Sequence, residues 1–311
     1  MSYLQIASWN IEHLGGHNRA ERRQSAYALA EHIEMSGIHV IALQEIYVTP
    51  DEEVVKLVPS EFVVPRATSG TRRNSDLDTV CYLLEEHLDV AWRYEILENR
   101  NRGDKSQLCA VMWNTARVTL DKITPLPVKD GDHNLWDRKP HLLSFSSDQM
   151  VWRKDEAGNW HEVGEKRSFS LIPLHMKSNM GGATVNRIVR AKEALTLCEA
   201  LKGMEGAYDP SLIMIGDTNI LKYDEPAIET FINFGLTDLN NNDSATYWSV
   251  SHKGAPFDRA FISKNRKEYK YSRQYVLWSS DLQAHDRLLS DHYMIKIAVK
   301  DYVDDADPRE A

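Results

Sequence analysis

Cysteine is scarce in this chain: Cys81, Cys109 and Cys198 are the only three in 311 residues, odd in number and without paired spacing. A disulfide-stapled scaffold is excluded, and buried free thiols in a reducing compartment are expected. Long apolar runs are missing too. No stretch approaches the roughly 18 apolar residues of a membrane span, and the opening Met1-Ser2-Tyr3-Leu4-Gln5 lacks the basic-then-apolar pattern of a secretion signal. The expectation is a cytoplasmic protein that engages no membrane. Positive charge is in deficit, with a net charge of -9. Broad non-specific attraction to nucleic acid is therefore excluded, because Lys and Arg drive phosphate binding. A nuclease is not, since a bound divalent cation and a local arginine cluster can reverse the sign at one site. Internal repeats, low-complexity tracts and long linkers are also absent. What remains is an ordinary globular composition, 42% hydrophobic and 27% charged. It can bury a good core. One domain over residues 1–300 is expected, with a frayed acidic tail at 301–311.

Apolar runs of strand length alternate with helix-like stretches, which predicts an α/β architecture. Residues 19–34 carry Ala26, Leu29, Ala30 and Ile33 on one helical face, and Gly37 can stop that helix. Thr49-Pro50-Asp51-Glu52 reads as a helix start, with Thr49 as N-cap, Pro50 in the first turn and Glu52 completing a capping box. Residues 65–79 read as a polar surface loop, 78–88 as a helix and 108–113 as a strand. Strands at 142–153 and 160–163 flank a hairpin loop over 154–159. Residues 183–201 predict a helix with Val185, Ile188, Val189, Ala191, Leu195 and Leu197 on its apolar side. Strands interrupted by helices, with hairpins in the middle, fit two packed sheets covered by helices.

The chemistry sits where apolar runs stop. Leu4 to Trp9 ends in Asn10, Ile38 to Leu43 in Gln44-Glu45, and Phe169 to Leu174 in His175. Leu212 to Ile215 ends in Gly216-Asp217-Thr218-Asn219, Phe257-Asp258-Arg259 opens another run, and Ser290-Asp291-His292 precedes the last. Strand ends of a sheet can converge, and chain-distant carboxylates gathered there make a hard-cation site with histidines beside it. Glu45 suits Mg²⁺, which takes one or two carboxylates plus waters and substrate oxygens. Alone it would be an ordinary strand-end acid. Asp217 and Asn219, two apart, suit work on an attacking water; the bland alternative is a polar turn capping a helix. Asp258 can orient the His292 ring and raise its basicity. His175 offers a second imidazole to the phosphate or leaving group.

Taken in order, these motifs resemble the endonuclease/exonuclease/phosphatase superfamily, in its deoxyribonuclease I-like branch. Arg138-Lys139-Pro140 before a strand, and Arg187 with Ala191 in the following helix, resemble further elements of it. The resemblance implies an α/β four-layer sandwich, two packed mixed β-sheets flanked by helices, with the site at one end. It implies Mg²⁺ or Mn²⁺ as cofactor, held by Glu45 with Asn10 and Asp291 close by. It implies that Asp217 activates the water, that Asn219 supports it, that His292 pairs with Asp258 and that His175 contacts the scissile phosphate.

Two departures bear on substrate. Where the branch has a glutamate supporting the first histidine, Gln107 stands here, expected to hydrogen-bond His175 without stabilising an imidazolium. Tyr47 replaces the loop arginine that reaches the minor groove, so duplex grip falls to Arg72, Arg73, Arg100, Arg102 or Lys177, with Tyr47 and Asn179 as further substrate contacts. The leading expectation is a monomeric metal-dependent phosphodiesterase acting on nucleic acid, DNA first. A small-molecule or lipid-headgroup phosphatase using the same site is the alternative, and a non-catalytic scaffold the third reading.

Overall fold

The computed structural model describes residues 3–16, 24–50, 56–57, 62–99, 103–128, 135–249 and 252–300. Its principal strands begin with β1 (Tyr3–Leu14), β2 (Val40–Ile46), β3 (Trp92–Ile96) and β4 (Leu108–Asn114). There follow β5 (Thr119–Pro125), β6 (His141–Lys154), β7 (Trp160–His175) and β8 (Leu212–Asp217). The last are β9 (Leu236–Asp238), β10 (Asp258–Ser263), β11 (Gln274–Val276) and β12 (Ile295–Lys300). The helices are α1 (Ala26–Ser36), α2 (Ser75–Leu88), α3 (Ala183–Lys202), α4 (Pro226–Phe234) and α5 (Leu282–Leu288).

The strands form two six-stranded sheets, ordered β11-β12-β1-β2-β4-β3 and β9-β10-β8-β7-β6-β5. Each sheet has one parallel pair at its middle, β1 with β2 and β7 with β8. The other pairings are antiparallel.

Strand periodicity builds the layers. In β2, Val40 and Ala42 point into the core between the sheets, while Ile41 and Leu43 join Leu29, Ile33, Leu77 and Val80 of α1 and α2. In β8, Ile213 and Ile215 point inward, while Leu212 and Met214 pack with Leu197, Leu201 and Phe231 of α3 and α4. Alternation of period two thus serves two cores at once, which is why these strands read as unbroken apolar runs. The result is the four-layer α/β sandwich that the motifs imply.

Several local expectations change. Helix α1 starts at Ala26, where Ser25 Oγ accepts the Ala28 N–H; residues 17–23 lie outside the described residues. Gly37, at φ 61°, closes it as expected. The helix expected to start at Thr49 would run through residues 51–55, which lie outside the described residues; residues 47–50 are irregular, and Thr49 Oγ1 accepts the Ser75 N–H at 2.9 Å. Asn74 accepts the Leu77 N–H and starts α2 three residues early, so the surface loop expected over 65–79 stops short. Helix α3 presents a different face from the expected one. Val185, Ile188 and Leu195 are exposed, whereas Asn186, Arg190 and Glu193 are buried with Ala194 and Leu197. The inward side of its first turns serves a polar loop rather than apolar core, and that loop belongs to the site. The tail at 301–311 lies outside the described residues. No helix among the described residues is long and apolar enough to cross a membrane.

Candidate active site

Both parallel pairs end at the same end of the sandwich, and outside such carboxyl ends is where α/β sheets present ligand-binding groups. Asn10 lies opposite Gln44 on β1 and β2, and His175 opposite Asp217 on β7 and β8. Glu45 needs a bulge to join them. By alternation it would share the side of Leu43, toward the helices. Register shifts between Leu43 and Ile46 and between Asn10 and Leu14 break the pattern, and Glu45 takes φ 62°. Bulges re-aim side chains in this way beside functional sites. At Gly216 the chains approach too closely for a side chain: a Cβ would stand 2.0 Å from the Leu174 carbonyl oxygen. That contact sets His175 beside Asp217.

Asn10 joins the two sheets. Its Nδ2 donates to Asp217 Oδ2 at 3.0 Å and reaches Glu45 Oε1 at 3.3 Å, while its Oδ1 accepts the Glu12 N–H. His175 Nε2 stands 3.8 Å from Asp217 Oδ2 and 3.9 Å from Glu45 Oε1, within Coulombic reach but beyond a hydrogen bond. Its buried Nδ1 has no hydrogen-bond partner. Asn219, at φ 54°, donates its N–H to Asp217 Oδ1 at 2.9 Å and its Nδ2 to the Met176 carbonyl. No helix follows Asn219 directly, so the pair is not a helix cap.

His292 Nδ1 lies 2.8 Å from Asp258 Oδ2, which also accepts the Thr246 hydroxyl at 2.7 Å. Tyr247 packs edge-on against the imidazole. Ser290 fixes this loop to β1: its Oγ donates to the Asn10 carbonyl at 2.6 Å and accepts the His292 N–H. Asp291 is half-buried, its N–H donating to Glu12 Oε2 at 3.3 Å.

Burial and charge then set the protonation states. Desolvation lifts the Asp217 carboxyl to about 7, with the Asp258 charge adding, against His292 and hydrogen bonds from Asn10 and Asn219. Burial also disfavours charge on both histidines. For His175 nothing offsets it, and Arg138, His292 and His13 push the same way, so its pKa falls well below the ordinary value. For His292 the Asp258 carboxylate outweighs burial, aided by Asp217 and Asp291, and its pKa rises well above. One imidazole is neutral and the other is a cation near neutral pH.

Sequence reasoning missed His13 and misplaced Gln107. Gln107 does not orient His175: its Nε2 lies 3.0 Å from His13 Nδ1, and its Oε1 accepts from Arg138. His13 Nδ1 also stands 3.3 Å from Glu45 Oε2 and 3.4 Å from the Tyr47 hydroxyl. Glu12 and His13 both adopt left-handed backbone, at φ 46° and 62°. A histidine three residues past Asn10 was the available signal.

Of the expected substrate contacts, Tyr47 lines a concavity of about 680 Å³ beside Glu45, with His13, Gly15, Gly16, Asp104 and Lys105. Arg72 is paired at 2.6 Å with Asp104 of that lining. Arg73 is not a substrate group; it is buried on Asp78 at 2.5 Å. Lys177 is paired with Asp137 at 3.0 Å. Asn179 has both amide atoms engaged, donating to the Asn219 carbonyl and accepting from Arg190, so it buttresses the site instead of facing substrate. Arg190, buried against Glu225, also holds the Lys177 carbonyl. Arg100 and Arg102 lie outside the described residues.

Among the described residues, no three His, Cys, Asp or Glu side chains gather into a metal cluster. The donor set at Glu45 is instead one partly exposed carboxylate beside open solvent, with Asn10 and His13 around it. That suits a hard cation of the Mg²⁺ kind, which retains waters and takes few protein ligands.

No protein-family model matches the chain, and no curated protein matches its sequence. Solved structures do match. An endonuclease/exonuclease/phosphatase family protein from Bacteroides thetaiotaomicron superposes with a TM-score of 0.57 at 16% identity, covering 96% of this chain and 95% of that one. A mannosyl-6-phosphatase from the same organism gives 0.55 at 15% identity, covering 95% and 99%. D. rerio TDP2, complexed with single strand DNA product, gives 0.54 at 17%, covering 96% and 99%. The fold of this chain is that of the endonuclease/exonuclease/phosphatase superfamily.

Proposed function

We propose that this chain is a phosphoric ester hydrolase dependent on Mg²⁺ or Mn²⁺, and that it cuts the nucleic-acid backbone, DNA foremost. The convergence of Glu45 and Asp217, from different sheets, on the amide of Asn10 is the observation that carries this reading. Glu45, with Asn10 beside it and Asp291 on the loop that Ser290 ties to Asn10, would hold the cation, which when bound supplies charge stabilisation to the phosphate. Asp217, poised near neutral pH by burial, takes the proton of a water attacking phosphorus in line, while Asn219 fixes the loop around it. His292, kept positive by Asp258, donates to a phosphate oxygen as charge builds there, and the ester oxygen leaves as its P–O bond breaks, taking a proton from solvent water. His175, neutral and dry, positions the ester through Nε2 rather than acting as an acid. Three buried free cysteines support a cytoplasmic setting.

A small-molecule or lipid-headgroup phosphatase is the second reading. It is favoured by the burial of Arg73 and the pairing of Arg72 and Lys177, which leave none of the expected duplex-gripping cations unpaired among the described residues. Supercoiled plasmid incubated with Mg²⁺ or Mn²⁺ separates the two. EDTA-sensitive nicking that disappears in Asp217→Ala supports the nuclease. Intact plasmid alongside turnover of phosphomonoesters reverses the order.

A further inference from the structure

Although the chain as a whole is acidic, a cationic segment lies at the end of the sandwich opposite the active site. Strands β8 and β10 carry Asp217 and Asp258 at one end and Leu212 and Ser263 at the other. At about 3.3 Å per residue, such strands set the two ends roughly 20 Å apart. Directly after β10, residues 264–273 hold five cations, Lys264, Arg266, Lys267, Lys270 and Arg273, and a single acid, Glu268. Arg266 at 2.9 Å and the Ser211 hydroxyl both bond that acid. Lys264, Lys267, Lys270 and Arg273 are exposed.

Aromatic rings alternate with these cations. Tyr271 is 65% exposed and Tyr275 50% exposed, and the Lys270 ammonium lies 5.2 Å from the Tyr271 ring centre. Three concavities, of about 230, 430 and 480 Å³, adjoin around the segment. The first two share Arg266 and Tyr269, and the second and third share Lys270 and Ser272, so they adjoin along the segment; the first also holds Asp209, beside Lys166, Arg167 and Lys300. Tyr269, its ring in the core between the sheets and its hydroxyl without a hydrogen-bond partner, is the fixed wall of the first two.

A cationic segment with exposed aromatic faces is the chemistry that binds single-stranded nucleic acid: phosphates meet Lys and Arg while unpaired bases stack on the rings. Duplex would leave the rings unused, because its bases are already stacked. An anionic membrane would use the cations, but this segment presents none of the Leu, Phe or Trp wedges that insert between lipids. We propose that residues 264–273, with Tyr275, form a binding site for single-stranded nucleic acid that is separate from the active site. It does not depend on the catalytic reading.

Fluorescence polarisation of a labelled 20-nucleotide oligo-dT, titrated with the full chain in EDTA, tests it. The triple variant Lys267→Glu/Lys270→Glu/Arg273→Glu should weaken binding at least about tenfold and flatten the salt dependence by about 0.7 for each phosphate no longer neutralised. Tyr271→Ala/Tyr275→Ala should weaken binding several-fold with the salt slope unchanged. The far-ultraviolet circular dichroism spectrum and cooperative unfolding in urea should match the wild type in both variants; this shows that they fold and keeps the result apart from the fate of the catalytic reading. Failure of the wild-type chain to bind the oligonucleotide would overturn the proposal. So would unchanged affinity in the triple variant, or wild-type binding to phosphatidylserine vesicles in place of the oligonucleotide.

Discussion

The two halves of the site, each built on the carboxyl end of a parallel strand pair, are opposites in character. The half on β1 and β2 is bulged and wet: Glu45 is 16% exposed, in left-handed backbone, with a half-exposed histidine beside it. The half on β7 and β8 is regular and dry: His175 and Asp217 are only 2% and 4% exposed, and Gly216 packs them against each other. A hard cation needs the first environment, since it keeps its waters. A carboxyl that must hold or release a proton near neutrality needs the second, since only burial lifts it that far. Bringing the halves together is the task of one amide, Asn10, reaching both carboxylates from a strand of the wet half.

Asymmetric substitutions should expose that division of labour. The largest effect is expected in the dry half. Asp217→Asn should lower kcat about 10³-fold or more with Mn²⁺ affinity little changed, measured by turnover and calorimetry on the same preparation. Glu45→Gln should lower activity about 10²-fold, and here Mn²⁺ affinity should fall with it. Comparable falls in affinity in the two variants would blur the distinction between halves.

Gly216→Ala tests how the dry half is packed. Its Cβ would meet the Leu174 carbonyl at 2.0 Å, so we expect about 3 kcal/mol of destabilisation in urea, against about 1 kcal/mol for Ala at the open Gly37, where only the left-handed φ is strained. Glu193 carries the dryness one shell outward. Burial pushes its carboxyl up to about 8, with Asp137 adding, although it accepts the Lys177 N–H at 3.0 Å. The unfolded chain ionises this group near its ordinary 4.5, while the folded chain keeps the proton. Its contribution to stability is therefore full below about 4.5 and is lost as pH rises toward about 8. Glu193→Gln should flatten the decline in urea midpoint between pH 5 and 8; a decline as steep as in the wild type would contradict this. The smallest effect is expected at Gln107→Ala, which frees His13 and should cost only several-fold in activity, more at low cation concentration than at saturation.

How much of this the sequence disclosed follows the same line. The dry half was legible because its strands are regular: Leu212 to Ile215 runs into Asp217, and the register with β7 delivers His175 without further information. Asp258 and His292 were legible as a pair on the same grounds. The wet half was legible in its residue, Glu45, but not in its geometry, because a bulge leaves no trace in alternation until the partner strand is known. The partner of Gln107 was misjudged for that reason, since the turn of β1 that places His13 depends on two left-handed residues that are not glycine. Helix α3 misled because its most apolar stripe faces solvent, whereas Arg190 and Glu193 are buried to hold the loop after His175. Polar burial of that kind is a tertiary fact that helical periodicity does not encode.

Both halves are expected to act on one phosphoester. A double-mutant cycle measures that directly: kcat/KM for hydrolysis of a single phosphodiester with Mn²⁺ in wild type, Glu45→Gln, Asp217→Asn and the double variant. Groups that work as a unit are strongly non-additive, so the double variant should be no slower than about threefold below the worse single variant. Effects that multiply in full would mean that Glu45 and Asp217 serve separate events, and a shared site would be contradicted.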